Sequence, residues 1–185
     1  EGIGHNLPFL AAVMDHPKFT SGDMTTAFIA EEYPDGFQGV ELNEVELRRI
    51  AASAAAMNRV AEIRRTKISG RMDNHERRVG DDWVVSLQGE KFAVSVAADA
   101  NGSTVTFEDG ASLRVEGDWT PGMMLADMTV DGAPLVMKVG KITGGFRIRN
   151  RGADLKVHVR SPRQSELALH MIEKLPPDTS KMLLC

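Results

Sequence analysis

The stretch Ala51-Ala52-Ser53-Ala54-Ala55-Ala56 is slim on every face, and it lies in the middle of a long helical segment. The start of that segment is marked at Asn43. Its side chain can accept a backbone N–H, while Glu46, three residues on, reaches back in a capping box; Leu42 and Leu47 occupy the positions of a hydrophobic staple. Glu44 and Glu46 sit at the positive end of the helix dipole, and Arg64 and Arg65 at the negative end. These signals predict a helix over 43–66. Two readings of its alanines stay open: high helix propensity alone, or strands packed closely around the helix from several sides.

Eight short segments of strand character follow, at Val84–Leu87, Phe92–Val96, Thr104–Phe107, Ser112–Glu116, Leu125–Val130, Leu135–Val139, Phe146–Asn150 and Leu155–Val159. Turn signals separate most of them, Asn101-Gly102, Asp109-Gly110, Asp131-Gly132 and Arg151-Gly152 among them. Strands joined in this way form a meander, which closes most simply as an up-and-down barrel. The expected fold class is α+β, with a long central helix enclosed by an eight-stranded antiparallel up-and-down β-barrel and short flanking helices. One flanking helix starts at Asn6 as cap, carries Leu7, Leu10, Ala11 and Met14, and stops at Pro17. Thr20 to Gly22 reads as a loop. A second helix covers Thr26 to Glu32 and ends in the turn Tyr33-Pro34-Asp35-Gly36. A last one, over 162–175, has Ser161 as cap and Pro162 in its first position, and ends before Pro176-Pro177.

Charge and composition narrow the function. The net charge of −4 argues against nucleic acid or an anionic membrane as partner, and no apolar run approaches the roughly 18–20 residues of a membrane span. The single Cys185 fits a reducing compartment. The chain opens on Glu1-Gly2-Ile3 and ends on the apolar Leu183-Leu184-Cys185, so both ends read as cuts in a longer polypeptide. The five histidines, at 5, 16, 75, 158 and 170, have no metal-ligand spacing. There is no glycine-rich phosphate loop between a strand and a helix, and no nucleophile elbow. The expected catalytic, cofactor and metal residues within the chain are therefore none.

Three features remain. The segment from Lys67 to Asp82 breaks all periodicity and is dense in charge of both signs; a loop of this length in a compact domain is usually functional or disordered. Its candidate partner-binding residues are Lys67, Arg71, Met72, His75, Arg77, Arg78 and Asp81, with Trp83 at its end, since Arg and Trp often dominate binding energy. Arg147, Arg149, Arg151, Lys156, Arg160 and Arg163 form a basic cluster that reads as the solvated outer side of strands or as a phosphate-binding face. Met137-Lys138 resembles the centre of a biotin attachment site, but it falls within an expected strand rather than at a tight turn.

Gly4-His5-Asn6-Leu7-Pro8, Gly22-Asp23-Met24-Thr25-Thr26-Ala27-Phe28 and Tyr33-Pro34-Asp35-Gly36-Phe37-Gln38-Gly39 together resemble the end of the biotin carboxylase domain in propionyl-CoA carboxylase alpha subunits. The resemblance implies three parts: residues 1–42 as the tail of that ATP-grasp domain, 43–175 as the BT domain that contacts the beta subunit, and 176–185 as a linker toward the biotin carrier domain. Within the BT domain it implies a helix over 43–66, a hook over 67–82 onto the carboxyltransferase beta subunit, a barrel over 83–160 and a helix over 162–175. The family enzyme carboxylates propionyl-CoA with ATP, bicarbonate, Mg2+ or Mn2+ and biotin, in the bacterial cytoplasm or the mitochondrial matrix. This chain would be its non-catalytic assembly module. The alternative is a stand-alone barrel that binds RNA or a small ligand.

Overall fold

The computed structural model describes residues 6–69 and 77–171. Helix α4 (Glu44–Thr66) opens with both bonds of its capping box made: Asn43 Oδ1 accepts from the Glu46 N–H at 3.0 Å, and a Glu46 carboxylate oxygen accepts from the Asn43 N–H at 3.1 Å. Leu47 is buried and Leu42 packs against the core, as a staple requires.

Around α4 runs a closed antiparallel barrel in simple sequence order. Its strands are β1 (Asp82–Leu87), β2 (Glu90–Asp99), β3 (Gly102–Phe107), β4 (Ser112–Glu116), β5 (Leu125–Val130), β6 (Ala133–Ile142), β7 (Gly145–Asn150) and β8 (Ala153–Arg160). β1 pairs with β8 to close the ring. Inward residues alternate with outward ones: Val85 and Leu87, Val94 and Val96, Met137 and Val139, Val157 and Val159 all point to the core.

The helix is inside. Every residue from Ile50 to Asn58 is buried, and since successive residues turn by about 100° this covers all of its sides. α4 touches β1, β2, β3, β4, β5, β7 and β8. An eight-stranded barrel has room for little more than side chains, so the strands close around a helix only where that helix is thin. The alanines therefore do more than favour helix. Ser53 spends its hydroxyl on the Arg49 carbonyl at 2.9 Å, which leaves no unmet donor among them.

The barrel has two distinct ends. At the start of α4, Arg48 pairs with Asp109 in the β3–β4 turn at 2.6 Å, and Arg49 donates to the Ala133 and Pro134 carbonyls of the β5–β6 turn. Three short helices lie beyond: α1 (Leu7–Asp15), α2 (Pro17–Ser21) and α3 (Phe28–Glu32). They gather around the rings of Phe9, Tyr33 and Phe37 and the buried Phe28. Arg151 in the β7–β8 turn holds Asp15 of α1 at 2.6 Å. Its neighbour Gly152, at φ +90°, lets α1 come close: a Cβ there would meet the Pro8 carbonyl at 2.8 Å and Ala12 Cβ at 2.9 Å.

The flanking helices differ in detail from the sequence reading. Asn6 stands at the start of α1, but its side chain makes no cap bond. Thr20 is helical, because Pro17 ends α1 and also opens α2, with His16 Nδ1 accepting from the Lys18 N–H. α3 starts at Phe28 rather than Thr26. The last helix, α5 (Pro162–Ala168), has Ser161 as its expected cap, in a capping box with Gln164, and ends at Ala168; residues 172–175 of the helix expected over 162–175 lie outside the described residues. Leu167, Leu169 and Met171 are all more than half exposed, so packing does not carry the helix on through 169–171.

Candidate functional site

At the other end of the barrel, α4 emerges between the β4–β5 loop and the β6–β7 turn. Arg64 donates to the Pro121 carbonyl at 3.0 Å and fixes that emergence. Lys67 caps the helix and is exposed, as is Ile68 after it. The chain returns at Arg77 and enters β1 at Asp82.

The returning limb of the loop is tied to α4 at two points. Glu62 is buried on the helix, 7% exposed, and its carboxylate accepts from Arg65 of the same helix and from Arg77 of the returning limb. Asp81 accepts from Arg59 Nε and a terminal nitrogen at 3.3 and 3.1 Å, while its carbonyl takes the Val96 N–H at 2.9 Å. A carboxylate as buried as that of Glu62 is costly unless paired; the guanidiniums of Arg65 and Arg77 supply that pairing.

Of the loop residues singled out from sequence, Lys67, Arg77 and Arg78 are exposed. Asp81 is half-exposed and engaged with Arg59. Arg71, Met72 and His75 lie outside the described residues. Trp83 is placed differently from the expectation that it is offered by the loop. It is 8% exposed, sits in β1 opposite Val94 and belongs to the core, because inward alternation in β1 begins with it. Its edge reaches the mouth of the barrel.

Sequence reasoning missed the other side of that mouth. Glu62, Asn58, Trp119, Met123 and Met124 surround it together with Trp83. Trp119 stands edge-on to Phe146, with ring centroids 5.7 Å apart, and donates its indole N–H to the Met123 carbonyl at 3.0 Å. Glu62 three residues before Arg65 was the available signal for an ion pair. The Met123-Met124 pair after Pro121-Gly122 was the signal for an exposed apolar turn.

In the basic cluster, an outer face, Arg147, Arg149, Arg151 and Arg163 each have a carboxylate partner. Arg147 grips Asp154 through two bonds of 2.7 Å, and Arg149 reaches the same carboxylate at 3.0 Å. These guanidiniums hold the Asp154 carboxyl below its usual range, Arg147 first. Arg163 lies 3.7 Å from Glu166. Lys138 lies within β6, opposite Leu125 on one side and Arg149 on the other. A lysine held between two paired neighbours has none of the projection from a turn that biotin attachment uses. Among the described residues no three His, Cys, Asp or Glu side chains could hold a metal, and no helix is long and apolar enough to cross a membrane.

Residues 50–174 match the propionyl-coenzyme A carboxylase BT domain. The chain belongs to that family. Over its whole length it is 77% identical to a propionyl-CoA carboxylase alpha chain of Ruegeria pomeroyi, covering 27% of that relative. It is 32% identical over 190 residues to the mitochondrial propionyl-CoA carboxylase alpha chain of Mus musculus, and 29% over 187 residues to that of Homo sapiens. In each case 98% of this chain and 26% of the relative are covered, so the chain spans about a quarter of the length of these curated relatives. The BT-domain match runs from the buried Ile50 through the barrel to α5, which is the unit that the helix and its wall form together. With α4 filling the interior and Arg147, Arg149, Arg151 and Arg163 engaged by carboxylates, the structure does not support the stand-alone alternative.

Proposed function

We propose that this BT domain is the assembly module of the alpha subunit of a biotin-dependent propionyl-CoA carboxylase, docking it on the carboxyltransferase beta subunit. The observation that carries the reading is the double anchoring of the loop between Lys67 and Asp82. Arg59–Asp81 and Glu62–Arg77 fix its returning limb to a helix locked inside the barrel. Affinity gained from contacts is reduced by whatever must be ordered on binding. A loop with a pre-positioned base loses less, so it suits a partner-binding hook. Arg71, Met72, His75, Arg77 and Arg78 are the side chains expected to meet the partner, with Lys67 and Asp81 at its base.

In this reading residues 1–42 are the end of the biotin carboxylase domain, seated on the barrel through Arg151 and Gly152, and 176–185 lead to the biotin carrier domain. The whole enzyme uses ATP, bicarbonate, Mg2+ or Mn2+ and biotin to carboxylate propionyl-CoA, in the bacterial cytoplasm or, for a eukaryotic source, the mitochondrial matrix. This domain contributes none of those groups. Lys138, held in a strand, does not fit biotin, and the role of the described residues is to position the neighbouring domains.

The test is association of the intact polypeptide with the beta subunit. Arg71→Ala with Arg77→Ala should weaken it by about 2 kcal/mol or more, roughly thirtyfold, and leave the barrel's unfolding midpoint almost unchanged. Full-strength assembly after the loop is shortened would move the contact elsewhere.

A further inference from the structure

Beneath the base of the loop, the mouth of the barrel opens as a cleft of about 1180 Å³. Its walls are apolar: Trp119, Phe146, Val139 and Val159 belong to the core and reach the cleft with one edge. Its lip is apolar as well, and exposed. Ile68 is 64% exposed, Met123 44% and Met124 71%. Charge on the lining is one-sided: Arg64, Arg65, Lys67, Arg77, Arg78 and Lys141 stand against Glu62 as its one carboxylate among the described residues. The chain as a whole is acidic, so the concentration of cations here runs against its composition.

We propose that this cleft is a second docking pocket, which receives an acidic segment of the carboxyltransferase beta subunit carrying an apolar anchor residue. The inference rests on the reading that this BT domain assembles with that subunit, and extends the contact from the hook to the barrel mouth below it. Charge argues for the occupant: a cationic rim attracts acidic chain and repels basic chain. Continuity argues for it too, since Lys67, Arg77 and Arg78 belong both to the hook's limbs and to the cleft lining. The anchor would sit between Met123, Met124 and Ile68, the exposed apolar residues of the lip.

Met124→Glu with Lys141→Glu tests the pocket without touching hook or core. Both side chains are exposed, and the Met124 backbone stays held by the Val139 N–H at 2.7 Å. Binding of the intact polypeptide to the purified beta subunit should fall at least tenfold, with the unfolding midpoint unchanged. Lys91→Glu, exposed on β2 at the far end of the barrel, controls for the Lys141 charge reversal placed away from the cleft and should bind normally. Raising salt should weaken the unaltered complex more than the double variant, because exposed charge attraction is screened. Unchanged affinity in the double variant, while the Arg71/Arg77 variant is weakened, would overturn the pocket and leave the hook standing. Unchanged affinity in both would overturn the assembly reading as well. Hydrogen-exchange protection at residues 119–125 in the unbound polypeptide, lost when residues 172–185 are replaced by a Gly-Ser linker, would make the chain's own tail the occupant and overturn the proposal.

Discussion

Arg77 donates to the buried carboxylate of Glu62, fifteen residues back along the chain, and so ties the returning limb of the loop to the helix at the centre of the barrel. Arg65 shares that carboxylate, which sets the energetics. Removing Arg77 leaves Glu62 still paired, whereas removing Glu62 leaves two guanidiniums beside each other. Arg77→Ala should therefore cost about 1 kcal/mol or less in global stability, discounted because Arg77 is itself half-exposed. Amide exchange over residues 77–81 should nonetheless rise, since the limb is released. Protection there equal to the parent's would show that Asp81 and Arg59 hold the limb by themselves.

Ala54 has no exposed surface and strands on every side. Ala54→Leu adds three carbons where there is no space for them, and overpacking costs about 1–3 kcal/mol. Chemical denaturation should show a loss of at least that order. An unchanged midpoint would mean that the wall yields more readily than a closed barrel can.

Gly152→Ala should loosen the N-terminal helices rather than the barrel. The new methyl enters a φ of +90° and presses on Pro8, Ala12 and Val40, a backbone strain of about 1–3 kcal/mol. The expected result is faster proteolysis within residues 6–42 while the barrel keeps its protected amides. Equal cleavage rates would show that α1 accommodates the methyl by shifting.

Stability should depend on pH through His158. Burial first, then the nearby Arg160 and Lys156, hold its imidazole below the ordinary value of 6.5. The unfolded chain therefore takes up the proton more readily than the folded one. The neutral form's contribution is complete above pH 6.5 and is lost as pH falls from there through the folded value. His158→Gln should flatten the fall in thermal midpoint over that window. A parent-like slope in the variant would assign the dependence to other groups.

Much of this architecture was legible beforehand because its signals are local. The Asn43–Glu46 box involves residues three apart, and each hairpin turn involves neighbours, so neither needs the rest of the fold to be recognised. β4 and β5 were located to the residue, since Gly, Pro and Asp bracket them tightly. The helices at either end were less well placed: α5 stops where packing stops, and nothing in the run from Leu167 to Met171 announces that its apolar side faces solvent.

From its sequence alone the chain has a long capped helix, eight strands in meander order and a charged loop between them. Alternation and turn chemistry determine these within a few residues of each other. Tertiary structure decided between the two readings of the alanines, because only a closed wall turns small side chains into the condition for closure. It also turned Trp83, a partner-binding candidate at the loop's end, into a core residue and drew Glu62, Arg65 and Arg77 into one clasp. At the mouth it set Trp119 and Met123-Met124 beside Asn58, some sixty residues apart in sequence. Such contacts follow from strand register and barrel closure, and residues this distant carry no local trace of one another.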